Sequence, residues 1–286
     1  MARVIYVDGV YHPYHAAGVH PEDRGYQFGD AVYEVCEVKS GAIVDQGRHI
    51  ARLERSLAEL KITMPMTVAA LQTVIRETVR RNRVHDGTVY LQVSRGTNKR
   101  DFLFPPAGTR PTLVCLARPA DPVRAKIAAE KGITVISEPD PRWSRCDIKT
   151  VMLLPASLAK ERARETGSSE VWFTDQDGFV TEGGSSNAWI VTRDRELITT
   201  PVSNAILRGV TRTTLIDLIN REGYRLVERQ FTIAEAKQAQ EAFITSASNV
   251  VMPVTEIDGA PVGNRHPGGL TLALRESFHE VAEIST

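Results

Sequence analysis

The chain has 286 residues, enough for one large domain or two modest ones with a sizeable core. Lys plus Arg and Asp plus Glu number 35 each, so no charge excess recruits nucleic acid or an anionic membrane, and the expected ligand is a small molecule. Three scattered cysteines, Cys36, Cys115 and Cys146, argue against a disulfide framework and fit a reduced cytoplasm, and no apolar run approaches the roughly 18 residues of a membrane span.

The start, Met1 to Gly9, reads as a strand and turn rather than a signal peptide. Ile50, Leu53, Leu57 and Leu60 recur at helical spacing, as do Val68, Leu71, Ile75 and Val79, so two helices each have one apolar stripe to bury on a sheet. Thr88 to Ser94 and Thr112 to Ala117 are β-branched runs bounded by turn formers and are expected strands. Between them Arg100 to Gly108 loses periodicity to prolines and glycine and is expected to be a loop. The prolines of Arg118 to Val123 mark an interdomain linker, which divides the chain into residues 1–118, a linker at 119–126 and residues 127–286. The second part alternates short strands with turns at Asp175 to Gly178, Gly183-Gly184 and Gly259, and has helical patterns near 157–165, 211–222 and 269–283. The fold class is therefore α+β.

The most informative pair of segments is Arg145-Cys146-Asp147-Ile148-Lys149-Thr150 and Thr181-Glu182-Gly183-Gly184-Ser185-Ser186-Asn187. Lys149 is flanked by Ile148 and by Val151 to Leu154, and an apolar setting frees an amine to attack a carbonyl and form a Schiff base. Pyridoxal phosphate needs such a lysine and an acidic partner at its pyridine nitrogen, because the protonated ring is the electron sink for a substrate carbanion, and Glu182 is the candidate partner. A solvated lysine and glutamate without chemistry is the plain alternative. None of the seven histidines forms a His-x-x-His or His-Glu-x-x-His spacing, so no metal site is expected. Dinucleotide and phosphate-loop glycine patterns and a Gly-x-Ser-x-Gly elbow are also missing from the sequence.

Six segments in order resemble the class IV, or fold-type IV, pyridoxal phosphate aminotransferases of the D-amino-acid aminotransferase type. They are Glu22 to Val35, His49 to Leu53, Ser94 to Thr97, Arg145 to Lys149, Thr181 to Asn187 and Leu207 to Arg212. The resemblance implies a two-domain fold with a small α/β N-terminal domain, a larger β-rich C-terminal domain and the cofactor in the cleft between them. It also implies a homodimer whose sites borrow residues from the neighbouring subunit.

On the same resemblance, Lys149 holds the cofactor and moves the substrate proton, and Glu182 keeps the ring nitrogen protonated. Arg52 pairs the phosphate, Leu207 covers one ring face, and Gly209, Val210 and Thr211 offer amides and a hydroxyl at a helix start, a segment that by itself reads first as an ordinary capped helix and that the resemblance turns into a phosphate site. A third phosphate contact falls on Thr245 to Asn249, where relatives often have a threonine and this chain has Ala247; its amide or the Ser248 hydroxyl could serve. Tyr33 and Arg100 match the substrate-carboxylate trap. Phe102 stands where the family's Arg-x-His pattern has histidine, so it either packs while Arg100 carries the carboxylate, or another donor such as Lys99 compensates. The implied activity is ping-pong transamination of D-amino acids such as D-alanine with a 2-oxo acid. Alternatives on the same fold are a branched-chain L-amino-acid aminotransferase, an (R)-selective amine transaminase and an aminodeoxychorismate lyase; a cofactor-free binding protein is the alternative of a different class.

Overall fold

The computed structural model describes Arg3 to Ser285; Met1, Ala2 and Thr286, on which the expected N-terminal strand and the chain end partly fall, lie outside the described residues. The chain forms two compact units, each of mixed α and β structure. The first comprises residues up to Asp121 together with Ile148–Met152 and the segment from Glu283; the second comprises Pro122–Asp147 and Leu153–Ala282.

The first unit is built on a seven-stranded sheet. In spatial order its strands are Ile284–Ser285, Ala42–Val44, Ala31–Lys39, Gly87–Ser94, Thr112–Pro119, Val4–Val7 and Val10–Pro13, every neighbour antiparallel. Helices Gln46–Glu59 and Val68–Arg81 bury Ile50, Leu53 and Leu57 and Leu71, Ile75 and Val79 of the expected stripes, while Leu60, just past the first helix, and Val68 are half-buried. The second unit has a nine-stranded sheet running Arg225–Glu228, Glu196–Thr199, Asn187–Val191, Glu241–Ser246, Val250–Ile257, Ile133–Pro139, Glu170–Thr174 and Val180–Gly183, with Ala260–Pro261 beside Val250–Ile257. Trp172, Phe231, Ile198 and Ile244 lie in its core. Among the described residues no helix is long and apolar enough to cross a membrane.

Two sequence expectations differ from the structure. The chain passes from the first unit to the second between Asp121 and Pro122, inside the expected 119–126 segment, but that segment is not extended throughout: the strand Thr112–Pro119 is followed almost at once by the helix Pro122–Lys131, because a proline at the first helical position gives up no hydrogen bond and has its φ preset. The C-terminal residues Ile284–Ser285 pair antiparallel with Ala42–Val44 and so belong to the first unit's sheet.

Glu34 is a buried carboxylate of the first unit, turned toward its core. Along Ala31–Lys39 the buried phase is Val32, Glu34, Cys36 and Val38, so the period of two turns Glu34 inward. Helix Gln46–Glu59 answers it with Arg52, whose Nε and Nη2 reach the two Glu34 oxygens at 2.7 Å each, and with His49, whose Nδ1 is 2.7 Å from Oε2. Burial alone would raise the Glu34 carboxyl, but the Arg52 charge and the hydrogen bonds of both partners bring it down to about 2. Burial lowers the His49 pKa, against the opposing pull of Glu34.

Both groups have depressed folded-state pKa values, so the stability they contribute is present above their unfolded values and is lost as pH falls. For Glu34 that loss runs from the ordinary 4.5 down towards about 2. Glu34→Gln should cost roughly 3 kcal/mol at neutral pH, because Arg52 is left without its counter-charge, and should flatten the loss of stability in that acid window. Urea unfolding of both proteins across the window measures this; parallel acid limbs would show that Glu34 is not the titrating group.

Candidate active site

Lys149 belongs to a five-residue segment that pairs with the first unit's sheet. Tyr33 N donates to Lys149 O at 3.0 Å and Val151 N to Ala31 O at 3.1 Å, an antiparallel bridge between Val32 and Thr150. Ile148 anchors the segment in the core, and Lys149 N lies 3.4 Å from Ser56 Oγ. The Lys149 ammonium is thereby held 4.3 Å from the centre of the Tyr33 ring. Tyr33 stacks in turn on Tyr90 with ring centres 5.6 Å apart, and Tyr90 donates its hydroxyl to Gln92 at 2.7 Å. Burial, with a contribution from Tyr33, pushes Tyr90 up to about 12.

The expectation of an apolar flank is only half met. Ile148 is buried, but Met152, Leu153 and Leu154 are exposed where helix Leu154–Glu165 begins, so Tyr33 rather than that run supplies the surface beside the amine.

Glu182, at the end of the strand Val180–Gly183, is buried in the second unit. Its Oε2 accepts from Asn187 Nδ2 at 3.1 Å and from Leu207 N at 3.0 Å, and its Oε1 accepts from Arg142 Nη1 at 2.6 Å. Arg142 is itself clamped by Asp140 through Nε (2.9 Å) and Nη2 (2.7 Å) and lies over the Phe173 ring at 4.8 Å. Burial opposes its charge, yet the two carboxylates raise its pKa well above the ordinary arginine value. Sequence reasoning missed Asp140 and Arg142; the Asp-Pro-Arg sequence just upstream of the lysine segment was the available signal.

Asn187 joins Glu182 to the helix start. Its amide also donates to Leu207 O at 2.9 Å, and a Cβ at position 209 would lie 2.1 Å from Asn187 Oδ1, which is why Gly209 precedes the helix Val210–Arg221. Gly209 provides no side-chain cap, so the first-turn amides of Val210 and Thr211 suit an anion. In the Thr245 to Asn249 turn, the Thr245 hydroxyl accepts from Trp189 Nε1 at 3.0 Å, Ser248 is exposed with its hydroxyl 3.4 Å from Ser246, and Ala247 is half-buried.

Arg100 is exposed, with Cζ 5.4 Å from the Phe28 ring and 5.8 Å from the Phe102 ring. Within the first unit, Tyr33 and Lys149 touch, while Arg52 is turned to Glu34 and Arg100 keeps company with aromatic rings. Each unit by itself carries groups of the kind pyridoxal phosphate needs: the first an amine beside an aromatic face and a guanidinium, the second a buried carboxylate next to an uncapped helix start.

A family model described as amino-transferase class IV matches residues 31–257. The D-alanine aminotransferase of Bacillus licheniformis is 39% identical over 250 residues, 87% of each chain. The solved branched-chain amino acid aminotransferase of Escherichia coli shares the fold with a TM-score of 0.89 at 22% identity, over 98% of this chain and 95% of that one. A hypothetical aminotransferase from Mycobacterium tuberculosis in its PLP-bound form gives 0.83 at 23% identity, over 97% and 98%. With most of its length matched by the family model and by a relative of that identity, this chain belongs to the class IV aminotransferases.

Proposed function

We propose that this PLP-dependent aminotransferase transfers the amino group of D-amino acids, D-alanine among them, to a 2-oxo acid. The observation that carries the reading is the Lys149 amine, fixed by backbone pairing over the Tyr33 ring, in a chain similar to D-alanine aminotransferases. The chemistry supplied by pyridoxal phosphate, when bound, is amine exchange at its aldehyde and storage of an electron pair in its ring.

The rest falls to the chain's own residues. Lys149 Nζ would take the proton from the substrate Cα and return it to the cofactor side, a general base that the Tyr33 face keeps in place. Glu182 would hold a proton at the ring nitrogen, its carboxylate fixed in place by Asn187, Leu207 and Arg142. Arg52, oriented by Glu34, and the amides of Val210 and Thr211 would bind the phosphate, with Gly209 permitting close approach and Ala247 or Ser248 adding a contact. Leu207 would cover a ring face. Tyr33 and Arg100 would bind the substrate carboxylate, which a planar guanidinium meets bidentately.

Arg100 stands on a loop with Phe102 81% and Leu103 76% exposed, an apolar surface that a second copy of the chain would cover. We therefore propose a homodimer in which this loop serves the partner's site. A reducing, cytoplasmic setting suits the three free cysteines. Chiral analysis of products from D- and L-amino acids with pyruvate or 2-oxoglutarate tests the reading; turnover confined to L-amino acids would overturn it in favour of a branched-chain type.

Lys149→Ala should abolish transamination, and borohydride treatment of the wild-type holoenzyme should fix the cofactor to Lys149; its recovery on another lysine would refute the assignment. Glu182→Gln should leave the cofactor bound and slow both half-reactions, read as single-turnover rates, and unchanged rates would remove Glu182 from the ring. Arg100→Ala should lower kcat/KM for D-alanine by about one to two powers of ten, the scale of a lost charge-assisted hydrogen bond. (R)-1-phenylethylamine, which lacks a carboxylate, should be affected far less, and an equal loss for both would assign Arg100 to loop support.

A further inference from the structure

The loop that carries Arg100 is fastened by two buried arginines that share one carboxylate. Arg24, at the start of the short helix Arg24–Phe28, sends Nε to Asp30 Oδ2 at 2.8 Å and Nη1 to the carbonyls of Asp101 at 2.7 Å and Leu103 at 3.2 Å. Arg95 grips both oxygens of the same Asp30 at 2.7 and 3.0 Å and donates to the carbonyls of Leu60 and Lys61. The Phe104 ring lies 3.7 Å from Arg95 Cζ. Side-chain exposure is 4% for Arg24, 9% for Arg95 and 10% for Asp30. Two cations on one buried anion leave a positive charge that must be stabilised by dipoles, and backbone carbonyls provide them.

Two of those carbonyls belong to the loop itself. They flank Phe102, in a turn closed by Leu103 N donating to Asp101 Oδ1 at 3.1 Å. Arg24 also reaches Arg100 sideways: its Cζ is 4.4 Å from the Phe28 ring, the ring that Arg100 approaches at 5.4 Å. We propose that Arg24 is a positioning residue for the substrate carboxylate, fixing through the Asp101 and Leu103 carbonyls the loop that presents Arg100. This rests on the reading of Arg100 as the carboxylate anchor. A guanidinium fork suits the task because its donors diverge in a plane towards Asp30 on one side and the loop on the other; a lysine ammonium is a single point.

The test uses the holoenzyme with Arg24→Met and Arg24→Lys. Loss of Arg24 leaves Asp30 paired one-to-one with Arg95, so no carboxylate is orphaned, and the lysine variant retains the charge while losing the fork. Hydrogen exchange of the amides at 101–104 and kcat and KM for D-alanine and (R)-1-phenylethylamine are measured beside Arg100→Ala. In both variants we expect loop exchange to quicken about tenfold or more and the D-alanine KM to rise about tenfold with kcat within about twofold, the amine being little changed. Unchanged loop exchange in both variants overturns the proposal. Faster exchange without a D-alanine-selective loss, while Arg100→Ala is selective, overturns it alone. An Arg100→Ala protein that is itself unselective overturns the anchor reading and this proposal with it.

Discussion

Two backbone hydrogen bonds, from Tyr33 N to Lys149 O and from Val151 N to Ala31 O, fix where Lys149 stands in the first unit. The strand Ala31–Lys39 is paired along one edge with Gly87–Ser94, and on its other edge the hairpin partner Ala42–Val44 covers only the far end. The near end is where the lysine segment docks. An open strand edge demands partners for its amides and carbonyls, and here the demand is met by residues that bring the Lys149 side chain with them. Strand alternation then does the sorting: Tyr33 faces the amine, and Glu34, one residue on, faces the helix that carries Arg52.

The second unit fixes its acid by a different device. Glu182 is held by an arginine, an asparagine and a main-chain amide, and each donor is itself tied elsewhere: Arg142 to Asp140, Asn187 to the Leu207 carbonyl. A carboxylate held from several directions cannot change rotamer without breaking several bonds at once, so its orientation is preset before any ligand arrives. The helix Val210–Arg221 is tied into the same set, since the residues leading into it donate to and accept from Glu182 and Asn187.

Lys149, Glu182 and Gly209 stood out in the sequence because each lies in a short stretch of distinctive residue types. The helix stripes were legible because burial repeats at the helical period. What escaped depends on contacts far apart in the chain. Glu34 stood in the inward phase of a strand, a position where a charge should have prompted a search for a partner, but His49 and Arg52 could be found only by placing the helix. The prolines near 119–126 marked the place where one unit gives way to the other, but one of them starts a helix rather than an extended stretch, and Met152 to Leu154 were read as an apolar flank when they are exposed. The return of Ile148–Met152 to the first sheet has no periodicity to betray it, being five residues long.

The closeness of position 209 to Asn187 has an evolutionary consequence. An added methyl group at 209 would fall 2.1 Å from the Asn187 oxygen, so the glycine cannot change while the asparagine keeps its pose. Replacing the asparagine by something smaller would make room, yet would also take one donor from Glu182 and the donor of the Leu207 carbonyl together. The two positions are one heritable unit: drift through single substitutions is blocked in one order by collision and in the other by loss of the acid's support, and only a lineage that had already rebuilt the acid's surroundings could leave this pairing behind.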